Sequence, residues 1–409
     1  MTETLFVGID VSKKSNAVRF IDPYGNTLKT FSVPNNHFGA EQIRDSIKDT
    51  LLHTDFTSVV AGMEATSNYA DHLAMFLQND EFLHDWNIKV HILNARQIKH
   101  FKKLYPEIPK TDMSDTLIIA DYLRFGRISK EVILDEKFIA LRTLTRARFQ
   151  AAQNLSREKT RFLNTLFYKF SSLESSKVFS DNFGATALSV VTDFMSVDDI
   201  NNTPIEELTA FISEKGKNHF AHPDEVAKAL QAAARGSYRL GKVANDSVNQ
   251  LLSIHILGIK TLQTQIEKLD TAIADYMVLF PNTLTSVQGI GSVYSAGIIA
   301  EIGDIKRFPS QASLAKYAGL AWSKYQSGEY DADDSRMILS GNKYLRYYLI
   351  EAANKVRMHD TVFKSYYHTK YAETKKHKHK RALVLTARKL VRLVYALLNT
   401  NQLYTQHTR

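Results

Sequence analysis

The stretch PKTDMSDTLIIADYL, residues 109–123, opens a helix with two aspartates three residues apart. Capping that helix takes a single Ser, Thr, Asn or Asp side chain, which accounts for Asp112 or Asp115 but not for both. Residues at i and i+3 are neighbours on a helix surface, so the two like charges repel, and attraction to the positive helix end offsets only part of that. Two further acids close segments that read as buried strands: Asp10 in VGIDVS and Glu64 in VVAGMEATSNY. Strands that pair in parallel bring their C-terminal ends to one edge, where ligands bind. A helix starting near Asp112 and laid across that edge gathers Asp10, Glu64, Asp112 and Asp115 into one cluster. Crowded carboxylates raise one another's pKa and oppose folding unless a cation neutralises them. A hard, all-oxygen cluster suits Mg²⁺, and two-metal sites activate a water and stabilise a leaving oxygen in phosphodiester cleavage. Taken singly, each acid serves equally well as a cap or a turn. The chemistry rests on the four together.

The elements that must position these acids are legible in the first hundred residues. TLFVGID, SNAVRFID and TLKTFSV read as strands, with PYGN turning between the last two. Helix and strand then alternate through GAEQIRDSIKDTLL, FTSVVAGME, NYADHLAMFLQN, IKVHILN and ARQIKHFKKL. Three strands followed by alternation predict an α/β domain with a mixed sheet over residues 1–130. From about residue 131 to 277 the pattern is helical. Between Phe138 and Phe170 a single acid, Glu158, stands against seven basic residues. Arg142, Arg146, Arg157 and Arg161 fall on about one helical face, a candidate for nucleic-acid backbone contact or a charged exterior. With the long helical stretch that ends near residue 277, this segment predicts an antiparallel coiled coil interrupted by a small helical insertion at 171–223. Residues 278–409 form a mostly helical third part. Its opening LTSVQGIGSVYSAGIIAEIGDIKRF resembles a helix-hairpin-helix, in which Gly289 and Gly291 allow a tight turn whose N–H groups meet a DNA phosphate; an ordinary helical hairpin reads the same way. In the last helix Leu383, Ala387, Leu390, Val394 and Leu397 share one face, and Arg381, Arg388 and Arg392 project elsewhere.

Charge separates the third part from the rest. The 409 residues carry a formal net charge of +9. Residues 301–409 hold 20 Lys and Arg against 9 Asp and Glu, so all the positive excess sits there. That asymmetry points to a polyanionic partner, nucleic acid before an acidic membrane surface. No cysteine is present, which excludes disulfides and thiolate metal sites. No run of about 18 apolar residues exists and the N-terminus lacks a signal layout, so a soluble, cytoplasmic protein is expected.

FVGIDVSKKSN, GMEATSNYADHLAMFL, LNARQIKHFKKL and KTDMSDTLIIADYL resemble the DEDD transposases of bacterial insertion sequences, the family numbered 110. LTSVQGIGSVYSAGIIAEIGDIKRF, LAKYAGLAW, YQSGEY, SGNKYLRYYLIEAANKVRMHD and HKRALVLTARKLVRLVYALL resemble that family's C-terminal transposase domain. The resemblance implies a RuvC-like, RNase H-type fold for the N-terminal domain, with Asp10, Glu64, Asp112 and Asp115 as a Mg²⁺-binding tetrad. It implies a nucleophilic serine in the C-terminal domain, matched here by Ser327. It further implies a recombinase guided by a noncoding bridge RNA, acting on donor and target DNA through a serine–DNA link and a Holliday junction. Such enzymes work as dimers that assemble into tetramers, with domains of different subunits completing each site.

Read from the residues alone, Ser327 is a plain Ser-Gly turn with no His beside it as a base. Lys324 and Arg336, with Lys343 and Arg346 further on, offer charges for a phosphate. The stretch after the serine, EYDADDSRM, is acidic where the family's is commonly Gly-rich and basic. Three other classes stay in view. A RuvC-like nuclease or junction resolvase would cleave with metal but form no protein–DNA adduct. An actin-like or sugar-kinase ATPase would need a second Gly-rich phosphate loop, which the sequence lacks. A non-catalytic nucleic-acid scaffold would keep its function in Asp112→Ala.

Overall fold

The computed structural model describes residues 3–64, 68–105, 111–126, 128, 136–322, 326–327, 330–331, 337 and 341–405. The chain forms two compact units, one made of residues 1–142 with 277–409, the other of residues 143–276.

In the first unit the alternating apolar residues of β1 (Thr4–Val11) decide the sheet. Leu5, Val7 and Ile9 are fully buried on one face, and Phe6 is buried on the other. A strand covered on both faces belongs at the centre. It pairs antiparallel with β2 (Ser15–Ile21), which pairs antiparallel with β3 (Thr27–Pro34). On its other side it pairs in parallel with β4 (Ser58–Glu64), and β4 with β5 (Lys89–Leu93). The order is β3-β2-β1-β4-β5, the mixed sheet expected from the sequence. The mostly exposed β3 is an edge strand. Helices α1 (His37–Leu52), α2 (Asp71–Gln78) and α3 (Glu81–Asp85) bury Ile43, Ile47, Leu51, Leu73, Leu77 and Leu83 in the core that holds Leu5, Val7 and Ile9. On the other face, α4 (Ala95–Phe101) and α5 (Asp112–Phe125) contribute Ile98, Ile118, Ile119 and Leu123 to a core with Phe6.

Helix α6 (Glu136–Lys169) leads into the second unit. There α7 (Ala185–Asp193), α8 (Val197–Asn202), α9 (Ile205–Lys215) and α10 (Pro223–Arg235) share a core with Phe162, Leu166 and Phe170 of α6. Helix α11 (Lys242–Met277) adds Leu252, Ile256 and Ile259 to it. Arg148 is ion-paired with Asp270, and His255 Nδ1 lies 2.7 Å from Glu158 Oε1. Rising numbers in α6 therefore meet falling numbers in α11, so the two helices run antiparallel.

The rest of the first unit is helical: α12 (Ser292–Ile302), α13 (Gln311–Tyr317), α14 (Lys343–His359), α15 (Thr361–Glu373) and α16 (Lys378–Thr400). Leu383, Ala387, Leu390, Val394 and Leu397 are all buried, as their spacing requires. Between α13 and α14 a short antiparallel pair, β6 (Gln326–Ser327) and β7 (Tyr330–Asp331), matches Ser327 with Tyr330. No helix of the described residues is long and apolar enough to cross a membrane.

Candidate active site at the carboxyl edge of the sheet

Asp10 and Glu64 reach the same sheet edge for a topological reason. Strands β1 and β4 are parallel with Ile9 opposite Met63, so the next residue of each strand is an acid. Helix α5 crosses this part of the sheet because Gly8 lets it. A Cβ at Gly8 would lie 2.2 Å from the Thr116 carbonyl oxygen and 2.6 Å from the Ala120 nitrogen. Contact that close with backbone requires a residue without a side chain, and at Gly62 a Cβ would meet the Leu123 side chain at 2.7 Å. Arg19 of β2 fixes the start of the helix, donating from Nε to Thr116 Oγ1 at 3.3 Å and from Nη2 to the Met113 carbonyl at 3.1 Å.

The cap of α5 is neither aspartate. Thr111 Oγ1 accepts from the Ser114 N–H at 3.1 Å and closes the helix start. Both Asp112 and Asp115 stay in the first turn with no capping duty. Asp10 and Asp112 line a cavity of about 430 Å³ together with Ser12, Ser15, Thr111 and neighbouring residues.

Charge crowding shows in the pKa values. Burial pushes the Asp10 carboxyl up to about 6, with the charges of Asp112 and Asp115 adding to the rise and Lys102 opposing it. Burial also raises Glu64, reinforced by Asp10 and Asp115 and again opposed by Lys102. Lys102, in the turn after α4, is ion-paired with Asp115. Sequence reasoning missed this residue. Its signal, the basic run KHFKK at the end of α4, does not say which lysine turns inward.

Asp10 thus feels Asp112 and Asp115, and Glu64 feels Asp10 and Asp115, yet among the described residues no three His, Cys, Asp or Glu side chains are gathered tightly enough to hold a metal ion. The donor set itself fits a divalent cation. It is all carboxylate oxygen, and two of its members are raised in pKa, by burial first and by neighbouring carboxylates second.

The remaining sequence-predicted residues are scattered. Arg142 donates from Nε to the Ala300 carbonyl at 3.2 Å, and Arg146 is also half-buried. Arg157 is exposed, and Arg161 is exposed and paired with Glu158 at 3.1 Å. The four arginines thus do not share one open face. Before the Gly289–Gly291 turn stands a single 3₁₀ turn, Leu284–Ser286, where the sequence had predicted a helix. Gly289 has φ +98, and a Cβ there would lie 2.8 Å from the backbone of Lys355, so this glycine serves close packing on α14. Gly291 begins α12 with open space around it. Lys343 is exposed, 4.9 Å from the Tyr344 ring, and Arg346 is half-buried. Arg381 and Arg392 are exposed, whereas Arg388 donates to Gln311 Oε1 at 2.8 Å. Lys324 and Arg336 lie outside the described residues, as do the side-chain surroundings of Ser327.

A mixed five-stranded sheet with acids at its carboxyl edge, followed by a mostly helical remainder, is compatible with the catalytic domain of a DEDD transposase. Residues 7–170 match the family model described as Transposase, of the DEDD IS110 type, and residues 282–368 match that described as Transposase IS116/IS110/IS902 family. The "Insertion element IS116 uncharacterized 44.8 kDa protein" of Streptomyces clavuligerus is 24% identical over 413 residues, covering 98% of this chain and 96% of its own. The "Insertion element IS110 uncharacterized 43.6 kDa protein" of Streptomyces coelicolor is 24% identical over 407 residues, covering 98% of this chain and 95% of its own. The chain belongs to the IS110 family of transposases, enzymes that cut and rejoin DNA. Membership in the DEDD class implies dependence on a divalent metal.

Proposed function

We propose that this transposase is an RNA-guided recombinase that uses Asp10, Glu64, Asp112 and Asp115 with Mg²⁺ and Ser327 as nucleophile. The observation that supports the reading is that Asp10 and Glu64 end neighbouring parallel strands and are both pushed up in pKa, by burial first and then by the charges of nearby acids. The sheet domain, residues 1–130, is read as RuvC-like. Residues 131–277 are read as a coiled coil carrying the insertion 171–223, and residues 278–409 as the serine-bearing domain with a helix-hairpin-helix-like start.

The four carboxylates would hold the cation, which would supply charge neutralisation at the scissile phosphate. Ser327 Oγ attacks the backbone phosphorus and a P–O bond of the strand breaks. The Ser327 hydroxyl gives up its proton, the leaving strand oxygen takes one up, and the serine is left joined to DNA through a phosphodiester. Attack by a hydroxyl of the exchanged strand breaks that link, re-forms the DNA backbone and returns Ser327 to its free form. Ser327 sits in a two-residue strand within the segment that matches the IS116/IS110/IS902 family, which supports its role. The bridge RNA and the dimer that assembles to a tetramer rest on the family resemblance.

The first test is to express the protein with the DNA flanking its gene and sequence the RNA that purifies with it. A single structured RNA from the flank is expected; only random nucleic acid would remove the guide. With that RNA in hand, the wild type should form a covalent protein–DNA adduct and Ser327→Ala should not, while Asp115→Ala loses Mg²⁺-dependent cleavage. Cleavage without any adduct would favour the plain nuclease.

A further inference from the structure

A second cavity opens next to the one that Asp10 and Asp112 line. Its volume is about 490 Å³, and it lies wholly within residues 13–76. The two share a wall: Ser12 lines the cavity of the acids and Lys13 lines this one. Asn35 builds that partition. Its Nδ2 donates to the Ser12 carbonyl at 2.8 Å and to the Tyr69 carbonyl at 3.4 Å, and its Oδ1 accepts from Asn16 Nδ2 at 3.3 Å. The turn after β1 is thereby tied to the turn that leads into α2, and Tyr69 is held at the cavity.

The neighbours differ in chemistry. Asp10 and Asp112 make the first cavity acidic, whereas none of the described lining residues of the second is an acid. Ala40 and Leu73 are its buried, apolar members. Lys13, His37, Tyr69 and His72 are exposed. Three flat polar rings, an ammonium and an apolar patch suit a ligand that is planar at one end and anionic at the other. A nucleotide is both. The amides on this wall are committed to the fold. Asn36 Oδ1 accepts from the Gly39 N–H at 2.9 Å to cap α1, and Asn35 is the clamp just described. What they leave for a ligand is stacking and charge, with little reading of base edges.

The shared wall says where the nucleotide comes from. A strand whose phosphate meets the acids passes the Ser12–Lys13 partition at its next unit. We propose that this cavity takes one unstacked base of the DNA strand bound at the carboxylate edge, with Tyr69 stacked on the base and Lys13 facing a phosphate beside it. This rests on the transposase reading of that edge and adds to it a base-holding site, with residues that sequence reasoning had not selected. Drawing a base out of the stack costs least where the strand is already unpaired. Every base has a flat face, so the site is sequence-tolerant.

The test uses the full-length protein, with a chelator present so that nothing is cut, and two labelled single strands. One is a random-sequence deoxyoligonucleotide, the other the same sugar–phosphate chain without bases. Tyr69→Ala should weaken binding of the first by about tenfold and leave the second unchanged, and Tyr69→Phe, which keeps the ring, should restore it. Lys13→Gln should weaken both strands and lower the salt slope by about 0.7. If Tyr69→Ala weakens neither strand, or both equally, the base site is overturned. Failure of Tyr69→Phe to restore binding would overturn the stacking. An RNA of the same sequence separates the sources: if Tyr69→Ala weakens binding of the RNA alone, the base belongs to RNA and the DNA assignment falls. Asp10→Asn separates this claim from the one beneath it. That variant should still bind the first strand and should lose cleavage, and cleavage retained there would refute the active-site reading whatever Tyr69 does.

Discussion

At the scale of single residues, Asp10 carries the clearest signature. Its carboxyl ionises near pH 3.8 in an unfolded chain and at about 6 in the folded one. The folded protein thus binds this proton more tightly. The stability it contributes is complete below the unfolded value and is lost as pH rises through the folded value. Asp10→Asn cannot ionise. In the presence of a chelator it should therefore be more stable than the wild type at about pH 7.5, by roughly 1 kcal/mol once solvent screening is allowed for, and equal to it near about pH 4. Melting curves at both pH values check this. An equal gain at both would trace the effect to packing instead of charge. Adding a divalent cation should raise the wild-type melting temperature more than that of the variant, because the cation relieves a repulsion the variant no longer has.

At the scale of elements, the site depends on how closely α5 lies on the sheet. Gly8→Val places a side chain against the Thr116 carbonyl and the Ala120 nitrogen, both backbone atoms that cannot rotate away. The expected cost is about 1–3 kcal/mol or more, measured by urea denaturation, together with weaker divalent-cation binding. A variant as stable as the parent would mean that the helix is not seated at this glycine. The sequence made the strands, the helices and the four acids legible, because period-2 and period-3.6 patterns fix which face of an element is apolar. It did not show what packs against each face. For that reason the cap fell to Thr111 and not to an aspartate, and Lys102 was indistinguishable from its neighbours Lys99 and Lys103. Arg142 shared a face with exposed arginines on a helical wheel but is spent on the Ala300 carbonyl. The segment before Gly289 was apolar enough for a helix and formed a 3₁₀ turn.

At the scale of the whole molecule, charge and chain order matter most. The positive excess of residues 301–409 makes the C-terminal segment the expected source of salt-sensitive DNA binding. Lys378, Lys380 and Arg392 are exposed, and neutralising each should flatten the salt slope by about one where it meets a phosphate. Arg388→Gln should flatten it less, because that guanidinium already bonds Gln311. Equal slopes for all variants would move the DNA surface elsewhere. The division of the chain into units has a consequence for how the enzyme comes into being. Residues 143–276 form a unit from one continuous stretch and can fold as they leave the ribosome, whereas the other unit has all its residues only once 277–409 have been made. A nascent chain halted before residue 277 holds the four acids but not the remainder of the body they belong to. Translation must therefore pass residue 277 before all the residues of that body begin to be present together.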